Sequence, residues 1–456
     1  MITTKPESDP GKPAPGTPGA SREPLTGYHW AVILIASAGW LFDCMDQRIF
    51  ALSREPAIRE ILGPGAENAV VREWGGWATA VMIVGWATGG IIFGTMSDRL
   101  GRVKTMAITL VCYSGFTGLS GLANSIPVFL LYRFLVGLGI GGMFGAATTL
   151  VAESVPAWAR AMALGSLQAL SALGNIIGSL ASTQIQPGRA DFLFGMSGWR
   201  ILFFVGILPA VLIVPMLLLL REPERWRAAR ERAKADGQSE KHIGSIPDLF
   251  RHPVWRRNLL VGVGLGLAGM AGLWGVGFFS PELVSTALQG EPQHVVDAVR
   301  GYGTALQDVG AFLGIVAFTF AATRFGRRPA FFWAFILCLG VTIYVFNNLR
   351  SGTDAYWMLP MMGFAQLTVF GGYAIYFPEL FPTRLRGTGV GFCYNTVRYL
   401  AAVFPPMLMF LNRELIEQEV DEPFRMAATV LSFIFLLGLV ALIWAPETKG
   451  KPLPED

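Results

Sequence analysis

Charge is scarce in this chain of 456 residues: 15% of its side chains are Asp, Glu, Lys or Arg, whereas 52% are hydrophobic. That balance excludes an ordinary water-soluble protein of one or two domains, which could not hide so much apolar surface. Cysteine is scarce too. Cys44, Cys112, Cys338 and Cys393 fall inside apolar runs without Cys-x-x-Cys or Cys/His spacing, so neither a disulfide framework nor a metal site is indicated. Of the four histidines only His29 touches an apolar run, at its edge, which excludes a histidine relay within the membrane. No G-x-x-x-x-G-K-[ST] phosphate loop and no nucleophile, acid and base cluster occur, so the sequence points away from an enzyme and calls for no cofactor. The first 26 residues are rich in Pro, Gly and Ser and lack an apolar core before a cleavage site; they read as a disordered tail, not a signal peptide. The formal net charge of +4 requires no nucleic-acid partner, because basic residues beside membrane spans follow from the rules of insertion.

What the chain has in quantity is long apolar runs. A helix needs roughly 20 residues to cross the hydrocarbon core, and runs of that size fall near 29–52, 74–97, 105–124, 128–154, 161–183 and 200–220. Six more follow near 258–286, 301–322, 329–347, 355–381, 387–411 and 424–446. They are too long and too little alternating for barrel strands, so helices are the consistent reading. The expectation is an all-α membrane protein of twelve transmembrane helices in two pseudo-symmetric six-helix bundles. Its parts are a tail (1–26), a first bundle (27–220), a polar linker (221–257), a second bundle (258–446) and a short end (447–456). Glycines such as Gly85, Gly89, Gly90 and Gly94 on the second span, and Gly262, Gly264 and Gly266 on the seventh, suit close helix packing.

Orientation follows from the basic loops. With the N-terminus inside, all seven lysines (5, 12, 104, 234, 241, 449 and 451) lie on the cytoplasmic side, as do the arginines of 98–104, 324–328 and 382–386. A multi-pass protein of the cell (inner) membrane with both termini cytoplasmic is expected, its partners being the lipid bilayer, protons and a small-molecule substrate, and its state a monomer.

An internal repeat supports two halves. Glu153-Ser-Val-Pro156-Ala-Trp-Ala-Arg160 after the fourth span matches Glu379-Leu-Phe-Pro382-Thr-Arg-Leu-Arg386 after the tenth, an offset of 226. Asp98-Arg99-Leu-Gly101-Arg102 after the second span corresponds to Thr323-Arg324-Phe-Gly326-Arg327 after the eighth, an offset of 225.

The stretch Gly94-Thr-Met-Ser-Asp98-Arg99-Leu-Gly101-Arg102-Val-Lys104 resembles the loop signature of the major facilitator superfamily. Arg133-Phe-Leu-Val-Gly137-Leu-Gly139-Ile-Gly141 resembles that family's fourth-helix motif, and Pro446-Glu447-Thr448-Lys449-Gly450, Glu153, Arg160 and Gln168 resemble its sugar-porter branch. The resemblance implies a cytoplasmic gate built on Gly94, Asp98, Arg99, Gly101, Arg102, Glu153, Arg160, Glu379 and Arg386. Thr319 and Thr323 stand where the second-half signature would place Gly and Asp, so an asymmetric gate is expected.

Charges inside the spans are expensive unless paired or hydrated, and mark function. Asp43 and Asp46 lie at i and i+3, on one face of the first span, with Arg133 at a similar depth on the fourth. The Asp43-Cys44-Met45-Asp46 stretch resembles the first-helix D-G-x-D motif of aromatic-acid:proton symporters, with Cys44 in place of glycine. Asp43, Asp46 and Arg133 are therefore candidates for proton coupling; the alternative is a permanent anchor for Arg48 or Arg133. In the second half Arg398 falls near the midplane, with Asn395, Tyr373, Tyr376, Tyr394 and Tyr399 near it in sequence or span and Asp308 on the eighth span. A planar guanidinium suits bidentate capture of a carboxylate, so Arg398, Asn395, Tyr373, Tyr376, Tyr399, Gln168 and Asp308 are the substrate-binding candidates; the alternative is an internal Arg398–Asp308 pair. Together these features predict an alternating-access proton symporter of a small organic anion such as a carboxylate, aromatic acid or acidic sugar. A neutral sugar or polyol symporter and a non-transporting solute receptor are the competing readings.

Overall fold

The computed structural model describes residues 24–223, 246–381 and 386–451. Most of the N-terminal tail and the linker core fall outside the described residues, as do the side chains of Asp98, Arg99, Arg160, Gln168 and Arg386.

In the first half, α1 (Gly27–Leu62), α2 (Asn68–Leu100), α3 (Arg102–Ser120), α4 (Ile126–Ser154) and α5 (Ala157–Ile185) are long helices, and the sixth span is broken into α6 (Gly198–Val205), a 3-10 turn (Leu208–Leu212) and α7 (Ile213–Leu219). Pro209 sits at that break, where its missing N–H and its ring prevent a regular helix from continuing. The second half opens with α8 (Ile246–Arg251). Its seventh span is α9 (Pro253–Gly275) and α10 (Ser280–Ala287), joined by a 3-10 turn at Gly277–Phe279. Then come α11 (Gln293–Phe325), α12 (Arg327–Asn348) and α13 (Gly352–Glu379). The eleventh span is α14 (Arg386–Ala401) and α15 (Phe404–Glu417), with Pro405 and Pro406 just past the interruption. The twelfth is α16 (Pro423–Ser432) and α17 (Phe435–Leu442). Nine stretches among the described residues are long and apolar enough to cross a bilayer; α3, α5 and the α14–α15 pair complete the twelve. Apolar side chains such as Leu218, Phe320 and Trp333 face outward, where a bilayer would cover them.

α1 runs ten residues past the expected end of the first span. At 1.5 Å per residue its length is roughly 54 Å, well beyond a hydrocarbon core of about 30 Å. The extra turns carry Arg54, Glu55, Arg59 and Glu60, whose charge ended the apolar run in the sequence; Arg54 is fully buried all the same, because the second half supplies its counter-ion.

Apolar burial does little to drive helices together in lipid, so close packing has to hold them. The carbonyls of Phe134 and Leu138 on α4 occupy the places where Gly85 and Gly89 on α2 would carry a Cβ, and the carbonyls of Met82 and Trp86 do the same at Gly137 and Gly141. The second half repeats the device: Gly310 and Gly314 on α11 admit the carbonyls of Pro360 and Phe364, and Gly363 on α13 admits that of Gln307. Gly85 and Gly310, like Gly89 and Gly314, are 225 residues apart.

Candidate functional site

At one end of the bundle, the end carrying the repeated motifs, two matching clasps form. Gly101 (φ 115°) and Gly326 (φ 105°) turn the chain in the left-handed region, so that α3 and α12 begin immediately after α2 and α11. Arg102 then donates to Glu153 from Nε (3.2 Å) and Nη2 (3.1 Å), while the Glu222 carboxylate accepts from the backbone N–H groups of Arg102 (2.6 Å), Val103 (3.1 Å) and Lys104 (3.3 Å). In the second half Arg327 donates to Glu379 from Nε (3.1 Å) and Nη2 (2.7 Å), and Glu447 accepts from the N–H groups of Arg327 and Arg328 at 3.0 Å each. Each Glu lies at a helix N-terminus, where unsatisfied N–H groups and the helix dipole favour an anion. The asymmetry expected from Thr319 and Thr323 therefore does not extend to the clasp: both threonines bond backbone carbonyls of their own helix, and the Arg–Glu–Glu arrangement is common to the halves. Gly94 has open space around its Cα. The sequence reading did not single out Glu222, although it stands 225 residues before Glu447.

At the opposite end and through the middle, the halves are tied to one another. Arg300 Nη2 donates to the Leu52 carbonyl (3.0 Å), the Gly188 N–H to Asp297 (3.1 Å), and Arg72 Nη2 to the Thr286 hydroxyl (2.8 Å). Nearer the middle, Ser179 and Thr304 hydroxyls meet at 3.0 Å and those of Thr88 and Tyr399 at 2.9 Å. Arg48 Nη2 reaches both oxygens of Asp308 at 2.7 Å, with Asn175 Nδ2 at 3.3 Å from the same carboxylate. Asp308 is thus neither a partner of Arg398 nor an isolated charge, which corrects the internal pair considered from sequence. α1 approaches α11 along the seam between the halves, and its arginine reaches the carboxylate from there.

Four charged side chains inside the spans contrast with these pairs. Asp43 and Asp46 are fully buried, and their carboxylate oxygens have no hydrogen-bond partner among the described residues. Asp46 lies beside Gly206 and Thr117. Arg133 is fully buried as well; its Nη2 donates to Ser120 Oγ at 2.5 Å, and its guanidinium lies 4.7 Å from the Phe203 ring centre and 5.2 Å from that of Phe50. No ion pair joins Asp46 to Arg133 in this conformation, because the aromatic cage and Ser120 take up the guanidinium. Arg398 donates to Asn395 Oδ1 (2.8 Å) and stacks on Trp86 (4.2 Å) and Tyr394 (4.4 Å), with no carboxylate partner among the described residues. Aromatic faces compensate part of the cost of burying a cation and leave its in-plane donors available; Arg398 Nε indeed has no acceptor. Trp86 meets Trp274 edge to face at 5.4 Å, so both halves wall this space.

The other expected ligands divide. Asn395 and Tyr394 adjoin Arg398, and Tyr399 lies one turn along but bonds Thr88 across the seam. Tyr373 and Tyr376 lie elsewhere: their hydroxyls donate to the carbonyls of Leu265 and Pro446 at 2.6 Å each, and Tyr373 stacks on Phe331 and Phe377 in the core of the second half. A buried phenol must find an acceptor, and the carbonyls within their own half satisfy both.

Two separate halves, matching clasps and uncompensated charge at the seam describe a two-body membrane transporter, and comparison with known proteins agrees. Over 72% of its length, and 76% of the relative's, the chain is 31% identical to a cis,cis-muconate transport protein of Acinetobacter baylyi. It is 25% identical to a niacin transporter of the same organism over 94% of this chain and 97% of that one. The crystal structure of a D-xylose-proton symporter superposes with a TM-score of 0.74 at 20% identity, covering 94% of this chain and all of that one, a likeness of fold. Residues 37–406 match the profile of the Major Facilitator Superfamily, and the chain belongs to that family of membrane transporters.

Proposed function

We propose that this transporter is a proton symporter of a small organic anion, a carboxylate or aromatic acid, working as a monomer in the cell (inner) membrane with both termini cytoplasmic. The observation that carries the reading is Arg398: buried, stacked on two aromatic rings, bonded to Asn395 and without a carboxylate partner among the described residues. Such a cation is stabilised when an anion completes it. Relatives named for muconate and niacin support an acidic substrate. Asp43 and Asp46 supply carboxylates that can carry the proton, with Arg133 close enough in the same half to respond when Asp46 changes charge. The halves 27–220 and 258–446 rock about the seam, and the clasp end, with Asp98, Arg99, Arg160 and Arg386, forms the cytoplasmic gate.

A ligand-stabilisation screen of the purified protein tests this, since a ligand that binds only the folded state raises its melting temperature. Muconate, nicotinate and benzoate-type acids should stabilise the wild type and lose their effect in Arg398→Ala. Stabilisation by neutral pentoses or hexoses, with none by acids, overturns the anion reading.

A further inference from the structure

Arg48 and Asp308 are a charge pair with unusual placing. They join the two halves in the middle of the membrane, through two contacts of 2.7 Å, so the pair cannot survive any motion that separates α1 from α11. Arg48 belongs to the same helix as Asp43 and Cys44, and Cys44 lies within electrostatic reach of Arg48 and Asp308 on one side and of Tyr394, which underlies Arg398, on the other. Two guanidiniums, one from each half, therefore border one space. Arg398 has no counter-ion there, and Arg48 has one that belongs to the opposite half.

We propose that the substrate carries two carboxylates, one taken by Arg398 and one by Arg48, and that Asp308 is a protonatable stand-in for the second of them. The proposal rests on the organic-anion reading above and refines it to dicarboxylates. The exchange balances: the Arg48–Asp308 ion pair breaks, a proton from solution bonds to an Asp308 oxygen, and the ligand carboxylate accepts the freed N–H groups of Arg48. Net charge at the seam is then unchanged by the arrival of one proton and one carboxylate, so neither enters favourably without the other. The ligand takes over the cross-half tie that Asp308 gave up, and bridges α1 to α14. The groups facing Asp308 are consistent with such a change. From α1 they are Arg48 and Cys44, and from α5 the amide of Asn175, which serves either protonation state. Pro360, Gly363 and Phe364 of α13 pack against the same stretch of α11, and none of them titrates. On α11 itself the neighbours are Gln307 and Thr304.

The matched probes are trans,trans-muconate and sorbate, which differ only in a carboxylate replaced by a methyl group. Binding is measured on the full-length protein by calorimetry between pH 6 and 8.5, where these carboxylates are ionised. Expected are a muconate affinity at least tenfold above that of sorbate, up to tenfold loss of muconate affinity per pH unit, and uptake of close to one proton per muconate in buffers of different ionisation enthalpy. Asp308→Asn should remove the pH slope and the proton uptake, and Arg48→Gln should collapse the muconate-to-sorbate ratio. If Asp308→Asn alone folds poorly, the Arg48→Gln/Asp308→Asn double variant, which leaves no charge unpaired, is read for the same ratio. Equal affinities for the two probes, or a pH slope that persists in Asp308→Asn, overturns the second carboxylate while leaving a monoanion transporter in place. Binding of neither acid overturns both readings.

Discussion

The guanidinium of Arg54 on α1 clasps a single oxygen of Glu282 on α10, from Nη2 at 2.5 Å and Nε at 3.1 Å, while its Nη1 donates to Thr79 at 2.6 Å. Both partners are buried, and the Phe279 ring lies 4.2 Å from the guanidinium carbon. This is a charge pair between halves, at the end opposite the clasps, so opening that end must break it. Removing one partner of a buried pair costs about 3–5 kcal/mol, and that cost falls on the closed state. Glu282→Gln should therefore raise maleimide labelling of a cysteine placed at Ser285, which lines a 470 Å³ cavity at this end. Labelling no faster than in the parent would show that the pair does not hold the end shut.

The clasps give a pH-dependent prediction. Partial burial favours the neutral form of Glu447, but the N–H groups of Arg327, Lys449, Arg328 and Thr448 outweigh it and hold the carboxyl below its usual value. A folded-state pKa below the unfolded one means that the stabilisation is fully present above the unfolded value, near 4.3, and is lost as pH falls through the folded value. Thermal unfolding of Glu447→Gln should therefore be less sensitive to acid than that of the wild type below about pH 5. Glu222→Ala should cost about 1 kcal/mol at neutral pH, the usual size of a lost helix cap. An acid limb identical in Glu447→Gln and wild type would remove this role.

Glycine substitutions separate packing from gating. Gly89→Ala and Gly314→Ala would each place a methyl group on a carbonyl oxygen of the neighbouring helix, at Leu138 and Phe364, and overpacking of this kind costs about 1–3 kcal/mol. Gly94→Ala meets nothing and should leave melting unchanged. A fall in transport by Gly94→Ala at full stability would place that glycine in the moving gate.

Much of the architecture was legible because a membrane helix announces itself by length and composition alone, and because duplicated halves leave the same residues at one offset, as Arg102 and Arg327 do. The breaks at Pro209 and at Pro405–Pro406 were written in the sequence but hidden within continuous apolar runs. Pairings were another matter. Arg48 meets Asp308 across 260 residues, and neither periodicity nor spacing records which distant carboxylate an arginine will face. Tyr373 and Tyr376 were drawn to the site by their proximity to Arg398 along neighbouring spans, whereas their hydroxyls follow the nearest free carbonyls. The end of α1 was underestimated for a related reason: charges that look like the edge of a span are buried when the other half neutralises them.

Arg398→Lys keeps the charge but loses the planar pair of donors. With Asp308 already committed to Arg48, a structural role for Arg398 as its partner no longer competes. Affinity for an acidic ligand should fall at least tenfold in Arg398→Lys while melting changes by less than in Arg398→Ala. Undiminished affinity in the lysine variant would take Arg398 out of the site.

Asp46→Asn should abolish uphill uptake driven by a pH gradient while leaving exchange of labelled for unlabelled substrate. The carboxylate is buried beside Thr117 and Gly206 without a hydrogen-bond partner among the described residues, a state that a proton relieves. Accumulation in proteoliposomes equal to that of wild type would exclude it as the coupling group.

Each half carries its own Arg–Glu–Glu clasp, and the residues of each clasp lie on one side of positions 224–245: Arg102, Glu153 and Glu222 before them, Arg327, Glu379 and Glu447 after. A scission anywhere between those positions thus leaves neither bundle missing a fastening of its own. Two polypeptides made from separate messages would meet in the bilayer already locked, and would have only the seam left to find.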